Sequence, residues 1–141
     1  MNAPLIAVLP GTLVAAAIDA RTGRIPDVVS VTTAAIVLFA SVLAGTLGAA
    51  LAGAICAGAA LLLLHVATRG RGLGLGDVKL AVAIGAALGT TSGLVALGIA
   101  FVAGAAYGVV LLVLGRAGRR SALPFAPFLA LGTAVAAVRW A

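Results

Sequence analysis

The chain has no glutamate. Its only acids are three aspartates, Asp19, Asp27 and Asp77, so any carboxylate chemistry must fall on these. It has one histidine, His65, which excludes the paired-histidine motif of helical zinc proteases. It has one cysteine, Cys56, which excludes an internal disulfide and reads as a small core or lipid-facing residue. Charge itself is scarce: 9% of residues are Asp, Glu, Lys or Arg, against about 25% in soluble domains. Abundant instead are apolar residues, 64% of the chain, with a mean hydropathy of +1.31. A water-soluble globule is excluded, and an all-α, polytopic membrane protein is expected.

The net charge is +6, which in a soluble protein would point to nucleic acid. Here eight of the nine basic residues fall between apolar runs: Arg21 and Arg24; Arg69, Arg71 and Lys79; Arg116, Arg119 and Arg120. That is the pattern of topology determinants at a membrane, and no nucleic-acid partner is expected. The uncharged start, Met1-Asn2-Ala3-Pro4, lacks the basic region of a secretory signal, so the first apolar run reads as retained.

Six spans are predicted, at 4–18, 28–44, 49–67, 78–88, 94–114 and 123–138. The first and fourth, at about 15 residues or fewer, are short against the usual ~20. Basic loops follow spans one, three and five, which puts those loops in the cytoplasm and both termini outside. Gly85-x-x-x-Gly89 and Gly104-x-x-x-Gly108 have the spacing that lets helices approach closely. Tyr107 reads as packing or an interhelical hydrogen bond, and His65, near the end of the third span, as a polar residue at the membrane interface. The whole chain, 1–141, is expected to form a single transmembrane domain.

By this topology Asp19 ends the first span and Asp77 begins the fourth, at the same membrane boundary. Two carboxylates there can divide the work on a peptide bond. One activates a water as base, and the other donates a proton to the carbonyl oxygen or leaving amine. Burial and mutual repulsion separate the two roles. A plainer reading stands beside this one. Asp77 can simply cap the fourth helix, and Asp19 can pair with Arg21 or Arg24 in a solvated loop. Chemistry alone leaves both open.

Three motifs occur in order at span boundaries: Asp19-x5-Ile25-Pro26-Asp27, Gly74-x-Gly76-Asp77-x-Lys79 and Pro124-x-x-Pro127-Phe128. Together they resemble the type IV prepilin peptidases, aspartic membrane proteases with a Gly-x-Gly-Asp motif. The resemblance runs from about Asp19 to Leu131. It implies removal of a short basic leader from prepilin or pseudopilin substrates. Cleavage would follow a glycine, at the cytoplasmic face of the inner membrane and in contact with the lipid bilayer. It implies Asp19 and Asp77 as the catalytic pair, without metal or other cofactor. Gly74 and Gly76 would let substrate backbone pass close to Asp77. Lys79 would tune the site without reacting, and the Pro124–Pro127 segment would shape a third wall.

Asp27 departs from the pattern, because the family usually has asparagine after Ile-Pro. In the first turn of the second helix, free N–H groups and the helix dipole suit Asp27 to a supporting role. Asp19, at the C-terminal end of the first span, is expected to be the reacting loop acid. No soluble methyltransferase domain and no paired cysteines are evident. The chain therefore resembles short, peptidase-only forms such as those of tight-adherence pilus systems. The rivals are a small transporter using its acids for ion coupling, and a non-catalytic assembly subunit. A mid-membrane acid would favour the transporter, and none is predicted. The presence of both motif aspartates weighs against the silent subunit.

Overall fold

A computed structural model describes residues 2–118 and 123–140; Arg119 and Arg120 of the third basic cluster lie outside them. The described residues contain α-helices and no strand: α1 (Ala3–Thr22), α2 (Asp27–Leu43), α3 (Leu47–Ala67), α4 (Leu75–Val113) and α5 (Ala126–Trp140). α1, α3 and α4 are long and apolar enough to cross a membrane, and α2 and α5 are shorter apolar helices. The chain is an all-α polytopic membrane protein. Three of the buried hydroxyls are satisfied within their own helices. Thr33, Ser41 and Thr133 donate to the carbonyls of Val29, Val37 and Leu129, as a low-dielectric surrounding requires.

α4 contains two of the predicted spans. Gly89 interrupts it with φ 77 and ψ −178, a combination open essentially to glycine alone. The two arms, 75–88 and 90–113, fold back on each other there. A Cβ on Gly93 would lie 3.1 Å from the Gly85 Cα, whereas residues eight apart on a straight helix are separated by about 12 Å. The sequence places a break between Gly89 and Gly93. In the structure the break is a single residue, and helix resumes at once.

The first arm of α4 is the centre of the bundle. Leu80, Ala81, Ala83 and Ile84 are fully buried. α3 crosses it at glycine: a Cβ on Gly53 would overlap the Gly85 carbonyl and the Gly89 backbone, and one on Gly58 would press on Val82. α5 seats on the second arm, where a Cβ on Gly132 would overlap the Ala96 carbonyl. Between membrane helices close van der Waals packing replaces the hydrophobic drive of water-soluble cores. The small residues therefore set how the helices fit.

α1 extends one turn beyond the predicted first span. It ends at Gly23, which adopts φ 68 and returns its N–H to the Asp19 carbonyl, a left-handed helix stop. Asp19 therefore sits inside the last turn of α1. The loops at 23–25, 70–74 and 123–125 converge at one end of the bundle, around a shared cavity.

Candidate active site

Asp19 is buried, 5% exposed, and is not in a solvated loop. Its Oδ2 accepts the Ala126 N–H at 3.0 Å. Ala126 opens α5, so this N–H is one of the donors that every helix start leaves unpaired. Asp19 thus caps a helix from which it is separated by most of the chain. The proline segment explains the arrangement. Pro127 has no N–H to leave unsatisfied in the first turn, and Pro124 keeps the approach to it extended. The expectation for Asp19 considered only the C-terminal end of α1. The structure adds the N-terminal end of α5, whose dipole has the opposite sign.

Asp77 sits in the first turn of α4, 9% exposed. Its Oδ2 accepts the Gly74 N–H at 3.1 Å, which is half of a capping box. Its Oδ1 is buried and has no partner among the described residues. The capping role foreseen as an alternative is therefore present, but it uses one oxygen only. Leaving the other unpaired costs on the order of 1–3 kcal/mol. Costs of that kind are retained where a group has work to do.

Asp19 and Asp77 line one cavity of about 700 Å³. Its remaining walls come from the first loop (Arg24, Ile25), the glycine-rich segment 70–76, and an aromatic side. The aromatic side is a chain of rings. Phe101 lies 4.9 Å from Phe125, and Phe128 lies 6.3 Å from Phe125 and 5.5 Å from Tyr107. Tyr107 is thus a packing residue, as expected. The cavity combines two carboxylates with an apolar surface.

The glycines divide the work differently from expectation. At Gly76 the close neighbour is the chain itself: a Cβ there would lie 3.0 Å from the Ile25 Cβ. Gly76 lets the Ile25-Pro26 loop lie against the start of α4. At Gly74 a Cβ would meet the Asp77 carboxylate at 3.6 Å and the Gly76 nitrogen at 3.9 Å, both ordinary contacts, so this is the glycine with room beside it. Asp27 and Lys79 lie outside the cavity lining and pair with each other at 2.7 Å. The pair is largely exposed and ties the start of α2 to the first turn of α4. Sequence reasoning assigned both residues to the site's support without seeing that they are partners. It also missed Ala126, whose contribution is a backbone N–H and leaves no signal in side-chain identity. Among the described residues no three His, Cys, Asp or Glu cluster as a metal set would.

A family model described as the type IV leader peptidase family matches residues 6–109. The chain belongs to this family. Two strains of Burkholderia pseudomallei, 1026b and K96243, each have a "Prepilin leader peptidase/N-methyltransferase" that is 39% identical over 129 residues. In both cases the match covers 86% of this chain and 41% of the relative. The Bacillus subtilis protein of the same name is 39% identical over 93 residues, covering 66% of this chain and 35% of the relative. The chain thus spans about two fifths of the length of the curated relatives it matches. No solved structure matches it. The type IV leader peptidase match contains both cavity aspartates and the whole Gly-x-Gly-Asp segment.

Proposed function

We propose that the protein is a membrane aspartic endopeptidase that removes the leader from prepilin-like substrates. One observation carries the reading. Asp77, a buried carboxylate with one oxygen unpartnered among the described residues, lines the same cavity between helix ends as a second buried carboxylate, Asp19. A pair of this kind can hold one water and one proton between them. One carboxylate takes a proton from the water as its oxygen attacks the scissile carbonyl. The other gives a proton to the carbonyl oxygen, and then one passes to the leaving amine. The backbone N–H groups of Gly74 and Ala126 fix the two carboxylates and leave their remaining oxygens for this work.

The substrate enters as an extended segment beside Gly74, with its apolar side chains against Phe101, Phe125 and Phe128. The cavity lies at the end of the bundle that carries the basic loops, and this end faces the cytoplasm in the inner membrane. The described helices act as one transmembrane unit. A transporter would need its acids along a path through the bundle, whereas both cavity acids lie at one end of it.

The purified chain in detergent or lipid, given a prepilin-like substrate whose basic leader ends in glycine, is expected to cut after that glycine without added metal. Loss of cleavage with chelator and recovery with zinc would replace the aspartic reading by a metal-dependent one. No cleavage at all by the folded chain would return it to the silent-subunit alternative.

A further inference from the structure

His65 lies in the last turn of α3, half-buried, and the expected interface role does not describe its contacts. Its Nδ1 lies 2.5 Å from the Leu73 carbonyl oxygen. A carbonyl only accepts, so Nδ1 carries the proton and donates it. The Leu73 carbonyl and the Gly74 N–H belong to the same peptide group. That N–H is the one donated to Asp77 Oδ2. Imidazole, peptide and carboxylate are therefore hydrogen-bonded in series.

We propose that His65 is a positioning residue for Asp77, acting through the Leu73–Gly74 peptide group. The proposal rests on the reading of Asp77 as a reacting carboxylate. Two physical effects run through the peptide. A donor on its carbonyl fixes the plane of the amide, so the N–H stays aimed at Oδ2. The same donor polarises the amide and makes that N–H a stronger donor. The surrounding loop has little else to hold this plane. After α3 the chain turns through left-handed Arg69 (φ 52) and Gly70 (φ 71), and helix does not resume until Leu75. Leu73 is buried and anchors the loop, but a buried side chain does not set the rotation of the peptide that follows it. The ring itself is held in place. The Gly70 N–H closes onto the His65 carbonyl at 2.8 Å, and a Cβ on Gly70 would lie 3.2 Å from the imidazole Cε1. Glycine at 70 thus serves both the left-handed turn and the space for the ring. Asp19 needs no such support, because its N–H donor is already fixed by a helix.

The test compares His65→Asn, whose amide nitrogen falls where Nδ1 was, with His65→Leu, which has no donor. His65→Gln places its nitrogen one bond too far and substitutes for the leucine variant should that fail to fold. With a prepilin-like substrate, His65→Leu is expected to lower kcat about tenfold, the worth of one internal hydrogen bond, with KM within about twofold. His65→Asn is expected to stay within about threefold of the parent. In the 15N-glycine-labelled protein the Gly74 amide proton should move upfield in His65→Leu and in Asp77→Asn, and hold its place in His65→Asn. An asparagine variant as slow as the leucine one would overturn the proposal. So would a change confined to KM, or a Gly74 amide that ignores the loss of the imidazole. An inactive parent protein would instead count against the proteolytic reading of Asp77, and the Gly74 amide would still report whether the series of hydrogen bonds exists.

Discussion

Two backbone N–H groups, one on each cavity aspartate, organise the site at the residue scale. That of Ala126 can be deleted without changing either carboxylate. Proline is favoured at the first position of a helix, and Phe125 before it is outside the helix. Ala126→Pro should therefore keep the fold and lose the bond to Asp19. Cleavage is expected to fall roughly tenfold, as for one hydrogen bond to a carboxylate. Steady-state kinetics on protein of unchanged melting temperature checks this. Ser30 offers the reverse case. Its hydroxyl is buried without a partner among the described residues, away from the cavity. Ser30→Ala is expected to leave activity unchanged and to raise stability by up to about 1 kcal/mol, because the unpaired hydroxyl is a cost. A melt in detergent that falls by several degrees would show that the hydroxyl has a partner in the membrane. The Asp27–Lys79 pair is largely exposed, and such pairs contribute about 0–1 kcal/mol. Asp27→Asn keeps an acceptor for Lys79 and is expected to cost less than that.

The α4 hairpin is the device at the scale of elements. It places Asp77 at the start of one arm and Phe101 of the aromatic wall on the other, while Phe125 and Phe128 lie at the start of α5. The hinge requires glycine at 89 for conformation, and the crossing requires glycine at 53 and 85 for space. Gly89→Ala and Gly85→Ala are each expected to destabilise by on the order of 1–3 kcal/mol, the first through backbone strain and the second through overpacking. Gly48→Ala and Gly98→Ala meet nothing within 4 Å and have no left-handed φ. Both should be tolerated or slightly stabilising, since alanine favours helix. Thermal unfolding of the four variants separates these classes, and equal melting temperatures would contradict the packing described. The sequence shows the Gly85–Gly89 spacing but not its meaning. In a chain with 19 glycines spacing alone cannot say which ones are pressed against backbone. The hinge is legible as a break because glycine and hydroxyl residues gather at 89–93. Within that stretch the turn falls at Gly89, whose backbone packs against Gly53 of a different helix.

The whole molecule brings the loops at 23–25, 70–74 and 123–125 to one end. This part of the architecture is the most legible in sequence, because charge is so scarce that its placement fixes the order of spans. Side-chain identity also picks out both cavity aspartates, since the chain offers only three acids. Less legible are the contacts made by backbone: the Ala126 N–H on Asp19, the Leu73–Gly74 peptide between His65 and Asp77, and Ile25 against Gly76. None of these has a residue-type signature. Asp19 shows the consequence, since its surroundings are judged from α1 alone until α5 is seen to start against it. The shared end also sets the topology. α3 runs from Leu47 to Ala67, about 30 Å of helix, which puts Gly48 at the far end from the cavity. On a Cys56→Ser background, cysteines at Arg24, Arg71 and Leu123 should react with an impermeant reagent from the cytoplasmic side. One at Gly48 should react only from outside. Split accessibility among the first three would contradict a single cavity end.

The central claim is that Asp19 and Asp77 act together on one peptide bond while Asp27 supports them from outside the cavity. The most direct measurement is the cleavage rate of a prepilin-like substrate by four purified proteins: the parent, Asp19→Asn, Asp77→Asn and Asp27→Asn. All must be folded and at equal concentration. Removing either member of an acid–base pair costs about 10²–10⁴-fold, so the first two variants should fall by at least about 10². Asp27→Asn should stay within about tenfold of the parent, as expected for an exposed ion pair. An active Asp19→Asn beside an inactive Asp27→Asn would show that the reacting carboxylates have been wrongly paired.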